Sequence, residues 1–164
     1  MKDRYVANKL GLVNFWYYDL EEFQLSEGKL LLRGSNGSGK SVTMQSFIPL
    51  LLDGNKAPER LDPFGTKSRT ITNYLLDEET EEKTGYLYIE FKRKESESYI
   101  SIGMGIKALK NKSPQSWYFI ITDGRRINKD LFLYRDAGEL IPLTKRQLQN
   151  ELGDVNFYTE SQRA

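Results

Sequence analysis

Cysteine and histidine are both absent from this chain of 164 residues. Without them it can hold no Cys/His zinc site, no cysteine nucleophile, no Ser-His-Asp triad and no imidazole base. Disulfides are excluded as well, so cysteine usage says nothing about the redox compartment. A surplus of one charge sign is also missing. Lys and Arg number 24 against 23 Asp and Glu, a net charge of +1, so any attraction to nucleic acid has to come from local patches. Long apolar runs are lacking too: Ile48 to Leu52 contains a proline and is far too short to span a bilayer. The amino terminus, Met-Lys-Asp-Arg-Tyr, leads into mixed sequence without the apolar core of a signal peptide. What remains is a globular balance, 38% hydrophobic and 12% aromatic, at a length that makes one domain the default. The chain reads as soluble and cytoplasmic, with no membrane partner.

Period and punctuation give a coarse map. Residues 9 to 18 are apolar and β-prone, and Phe23 and Leu25 mark a second short strand. After a turn at Glu27-Gly28, Lys29 to Arg33 reads as a short buried strand, followed by a glycine-rich stretch. An apolar helical pattern runs through Val42, Phe47, Ile48, Leu51 and Leu52. Pro49 should kink or shorten it, and Asp53-Gly54-Asn55 should stop it. Residues 56 to 69 read as a long charged loop, and 70 to 76 as a short helix leading into the acidic stretch Asp77 to Glu82. The second half changes period. Tyr86 to Lys92, Tyr99 to Ile106, Trp117 to Thr122 and Leu131 to Arg135 read as an antiparallel meander, with hairpin-type turns such as Asp123-Gly124. Thr144 to Leu152 reads as a helix, with Thr144 three residues before Gln147 as its cap. The last dozen residues carry no stop signal, and the chain reads as cut short.

Gly34-Ser35-Asn36-Gly37-Ser38-Gly39-Lys40-Ser41 matches G-x-x-x-x-G-K-[ST] in full. The spacing has a physical reason. Glycines let the backbone take positive φ and curl until successive N–H groups point inward at phosphate oxygens. Lys40 can then reach the β- and γ-phosphates of ATP, and the Ser41 hydroxyl can ligate Mg²⁺. Hydrolysis needs more, usually an acidic residue ending a second buried strand. Asp123 follows an apolar run, but Asp123-Gly124-Arg125 reads better as a turn, and Glu90 is the weaker candidate. The remaining catalytic parts are expected outside this chain.

The form Asn36-Gly37-Ser38-Gly39-Lys40-Ser41 resembles the amino-terminal half of the head of SMC-like ABC ATPases, the condensin-type DNA motors. A closer resemblance, over nearly the whole chain, is to the MukB-like subunit of Wadjet-type plasmid-defence systems. It rests on Val13 to Tyr18, Gly28 to Gly34, Leu50 to Gly54 and the specific run Pro58-Glu59-Arg60-Leu61-Asp62-Pro63-Phe64-Gly65. The resemblance implies that residues 1–164 form one lobe of an α/β, P-loop ABC-type head. That lobe would be a strand–loop–helix unit plus an antiparallel β-subdomain, incomplete without the carboxy-terminal half. It implies an ATPase in the full-length protein and an inactive fragment here, with ATP joining two heads. The implied partners are the head's own carboxy-terminal half, a second head copy, kleisin-like and winged-helix subunits, a toprim-type nuclease and double-stranded DNA. The chain departs from a complete head in having no signature motif, no second acidic motif and no coiled coil.

Three secondary features stay open. Asn14, inside the apolar run with Phe15 and Trp16, sits where related heads place a strand end near the nucleotide, although core packing is the simpler reading for both aromatics. Arg60, Lys67 and Arg69 in the charged loop are candidates for DNA contact, against a plain solvated loop. Lys107, Lys110, Lys112, Arg125, Arg126 and Lys129 would gather at one end of the sheet if their strands pair as a hairpin, as a phosphate-binding patch or a solvated rim. Two rival functions remain. One is a self-contained small P-loop phosphotransferase completed by Asp123 or Glu90, and the other a DNA-binding module with a vestigial nucleotide site.

Overall fold

The computed structural model describes residues 3–51, 54, 55, 57 and 70–160. Strands β1 (Tyr5–Phe15) and β2 (Tyr18–Gln24) form a hairpin whose turn is Trp16-Tyr17. Strands β3 (Glu82–Arg93), β4 (Tyr99–Leu109) and β5 (Gln115–Ile121) form the expected antiparallel meander. The two halves are not separate units. β1 pairs with β3, and β5 pairs with the short β8 (Phe157–Thr159), giving one six-stranded sheet in the order β2-β1-β3-β4-β5-β8.

Both faces of the sheet are covered, so β3 is buried without a break from Gly85 to Glu90. Leu10, Leu12, Leu87, Ile89, Met104 and Ile106 form one face, packed beneath Phe47 and beneath Ile71 and Leu75 of α3 (Ile71–Leu75). Val13, Tyr86, Tyr88, Trp117, Phe119 and Ile121 form the other, against Leu131, Leu133, Leu143 and the Leu148 and Leu152 of α4 (Lys145–Leu152). On this second face β4 places Gly105 between Tyr86 and Trp117, and Gly103 between Tyr88 and Phe119. A Cβ at either glycine would overlap the ring from β5, so the glycines make room for the aromatics. α4 carries the anticipated cap: Thr144 Oγ1 accepts from Gln147 N–H at 3.2 Å, and Thr144 N–H donates to Gln147 Oε1 at 2.9 Å.

Several expectations need correction. Lys29 to Arg33 is not a buried strand. Ser26 and Lys29 form an isolated bridge, residues 30–35 have no regular structure, and Leu31 is 72% exposed. Among the described residues no strand runs beside this segment, and extended backbone without a neighbour is left to water. The interruption expected from Pro49 is present: α1 (Lys40–Ser46) ends before a separate turn, α2 (Ile48–Leu51). Pro49 lacks the N–H that would bond the carbonyl of residue 45. Leu131 to Arg135 is not a sheet strand either. β6 (Tyr134–Asp136) pairs only with β7 (Leu140–Pro142), in a ribbon of its own. Asp123-Gly124 therefore opens a loop laid on the sheet instead of a hairpin. Among the described residues no helix is long and apolar enough to cross a membrane.

Candidate functional site

The glycine-rich loop leads directly into α1. Gly37 and Gly39 both have φ 84°, left-handed backbone that costs glycine nothing. Ser38 N–H donates to Ser35 C=O at 3.2 Å, closing a turn, and a Cβ on Gly34 would lie 2.5 Å from Ser38 Oγ. Lys40 folds back over this curl. Its Nζ donates to the carbonyls of Gly34 and Ser35, both at 2.7 Å, and to Ser38 Oγ at 3.2 Å. Residues 34 to 40 therefore gather around one ammonium group, with the side chain of Asn36 exposed and the Ser41 hydroxyl exposed beside them. A hollow of about 450 Å³ lies next to the loop, lined by Leu30, Leu32, Lys40, Ser41, Met44 and Gln45.

Asn14 is committed elsewhere. Its Nδ2 donates to Thr84 C=O at 2.8 Å, and its backbone is left-handed at φ 48°, so it shapes the end of β1 and does not reach the loop by its side chain. Phe15 is core, edge-on to Tyr74. Trp16 is half-buried and packs against that core. Its indole lies against Gly39, so closely that a Cβ there would overlap the ring. Composition alone did not place it there. The available signal was Asn14, a residue that tolerates left-handed backbone, interrupting an aromatic run and so marking a turn. Lys83, which the sequence did not single out, donates to the Trp16 carbonyl at 3.2 Å, and burial holds its ammonium below the usual lysine range.

The two internal acids are occupied. Glu90 is fully buried on the sheet face opposite Phe47 and accepts from Arg126 Nε and Nη2, each at 2.9 Å, and from Asn8 Nδ2 at 2.7 Å. Asp123 accepts from Arg125 Nε at 2.8 Å. Nor do the basic residues form one patch. Lys110 and Lys112 follow β4, whereas Arg125 and Arg126 follow β5 and so lie at the opposite end of the sheet. The hairpin itself separates them, since a strand's two ends are a strand length apart. Lys107 pairs with Glu82 at 3.2 Å and Lys110 with Glu81 at 3.0 Å, which neutralises that end further. Arg60, Lys67 and Arg69 lie outside the described residues, as does the run Pro58 to Gly65.

A second network lies beside Glu90. Lys9 pairs with Glu22 at 3.0 Å, and Glu22 also accepts from the Tyr88 hydroxyl and from Asn128 Nδ2 at 2.8 Å. Burial raises the Glu22 carboxyl, but the bonds from Tyr88, Lys9 and Asn128 outweigh it and hold the group below the usual range. Burial, then the bond to Glu22, pushes the Tyr88 phenol far up, so it stays protonated. These groups fasten the 122–133 loop to the sheet. Among the described residues no three acidic, His or Cys side chains cluster to hold a metal. Compared with known proteins, the chain matches no family model and no curated protein.

Proposed function

We propose that this chain is the ATP- and Mg²⁺-binding amino-terminal lobe of a split ABC-type ATPase head in an SMC-like DNA motor. The observation that carries this reading is the curl of residues 34–41, with glycines in left-handed backbone and Lys40 folded onto the loop's own carbonyls. In this reading the loop amides bind phosphate, and Lys40 exchanges its carbonyl partners for β- and γ-phosphate oxygens. Mg²⁺ would neutralise charge between those phosphates. The chain's own donor for it is the exposed Ser41 hydroxyl, which suits a metal carried in by the nucleotide better than one built into the protein. Tyr17, 85% exposed and tilted 51° against Trp16 at 4.7 Å, offers the base an aromatic face.

Residues 30–33, which have no strand beside them among the described residues, and the hollow next to them support a carboxy-terminal half as the first partner. That half would bring the neighbouring strand, the signature motif and the second acid. A second head, kleisin-like and winged-helix subunits, a toprim-type nuclease and double-stranded DNA at Arg60, Lys67 and Arg69 rest on the resemblance alone. Against a self-contained phosphotransferase stands the occupation of Glu90 and Asp123 by arginines. The test is ATP hydrolysis by the chain alone and with an added carboxy-terminal head piece, Lys40→Ala serving as control. Silence alone and Lys40-dependent turnover on mixing are expected. Robust Lys40-dependent turnover by the isolated chain would overturn the split-head reading.

A further inference from the structure

We propose that Trp16 is a positioning residue for the phosphate loop: the β1–β2 turn is a preset clamp that presses its indole on Gly39. The inference rests on the nucleotide reading above, and it concerns the loop's shape, not contact with the base.

The turn is built against local preference. Trp16 has φ 54°, the left-handed region that bulky side chains disfavour, two residues after Asn14 at φ 48°, which tolerates it. Such residues persist where the surroundings over-determine them, and they gather at functional sites. Here the surroundings do so from three directions. Asn14 Nδ2 bonds Thr84 C=O at 2.8 Å, and Lys83 Nζ bonds Trp16 C=O at 3.2 Å, both from β3. Trp16 N–H donates to Tyr74 C=O at 2.7 Å, from α3. Tyr18, just past the turn, shares a hydrogen bond of 3.2 Å between its hydroxyl and that of Thr43 on α1.

The turn delivers a large rigid ring to a single backbone position. Gly39 has φ 84° and ψ 7°, and its carbonyl accepts from Thr43 N–H at 2.9 Å. Its neighbour is Lys40, so rotation at Gly39 would swing both Lys40 and the amides of the curl. The indole fills the side of Gly39 where a Cβ would lie and leaves the backbone no room to turn that way. A glycine chosen for freedom is thus held by its neighbour, and the loop is ordered before any phosphate arrives. Preorganised donors bind without first having to be arranged.

The experiment uses the 164-residue chain and two probes, Mg-ATP and Mg-tripolyphosphate, the second lacking base and sugar. Binding is read by calorimetry and folding by circular dichroism. Trp16→Ala should weaken both probes by about tenfold or more, since small misplacements of binding groups cost factors of this size. Trp16→Phe, which restores a ring, should recover most of the loss. Unchanged affinity for tripolyphosphate in Trp16→Ala would overturn the inference, whether or not ATP binding falls. A loss that Trp16→Phe does not reduce would also overturn it. If Trp16→Ala does not fold, Lys83→Met, which removes the pin and leaves the ring, carries the test. Weakened tripolyphosphate binding in that folded variant supports the clamp, and wild-type affinity refutes it. Failure of the wild-type chain to bind either probe overturns this inference together with the nucleotide reading beneath it.

Discussion

Arg126→Met removes the guanidinium that makes the burial of Glu90 tolerable. Glu90 is 0% exposed, and two of its three hydrogen bonds come from Arg126, at 2.9 Å each. The arginine also lies 3.9 Å over the Tyr99 ring, and methionine keeps that apolar contact while losing the charge. What remains is a carboxylate with one amide donor, Asn8 at 2.7 Å. Removing one partner of a buried ion pair costs about 3–5 kcal/mol, because the other charge is left uncompensated. Asn8 keeps the expected value in the lower half of that range. At about 2–4 °C per kcal/mol for a chain of this size, the thermal midpoint should fall by about 6–16 °C. Circular dichroism melts and urea titrations at neutral pH measure it. The double variant Arg126→Met/Glu90→Leu should regain most of the loss, since apolar replacement of a whole buried pair is close to neutral. A single-variant cost under about 1 kcal/mol, or a double variant no more stable than the single, would refute the reasoning.

Gly103→Ala should cost about 1–3 kcal/mol, as overpacking does, because the new Cβ would overlap the Phe119 ring; a melt within error of wild type would contradict the packing described. Glu22 gives a pH dependence. Its folded carboxyl titrates below its ordinary 4.5, so ionised Glu22 stabilises the fold above that pH, and the contribution fades as pH falls through the lower folded value. The stability gap between wild type and Glu22→Gln, measured in urea from neutral to acidic pH, should therefore narrow with acid; a constant gap would exclude the mechanism. Tyr17→Ala should lower affinity for ATP and leave tripolyphosphate binding unchanged, the reverse of the pattern expected for a residue that shapes the loop.

What could be read from the sequence was what is decided locally. The capping box of α4 needs only Thr144 and Gln147, three residues apart on one turn. The curl of residues 34–41 needs only its glycines and Lys40, and the meander only period-2 patterning. What could not be read was decided by neighbours distant in the chain. Whether Glu90 is a catalytic acid or half of an ion pair depends on Arg126, which approaches only because the 122–133 loop folds over the sheet. Trp16 packs against the core as aromatic runs usually do, but only the left-handed turn also brings its indole against Gly39.

Residues 30–32 present the same problem in its sharpest form. Three consecutive leucines have the composition of a central strand buried on both faces, yet the described sheet has no position for them. Apolar composition records a need for burial without saying which segment supplies it. Covering a side chain such as Leu31 is worth about 1.5–3 kcal/mol, and a strand laid alongside would also pair the backbone of residues 30–33. That segment immediately precedes the curl that holds Lys40. A strand docking there would therefore fix the entry to the loop as Trp16 fixes its exit. On the proposed reading, one docked strand would cover the leucines and hold the entry to the phosphate loop in the same step. If the chain is the proposed half-head, that coupling is a physical reason to expect turnover only when the other half is added.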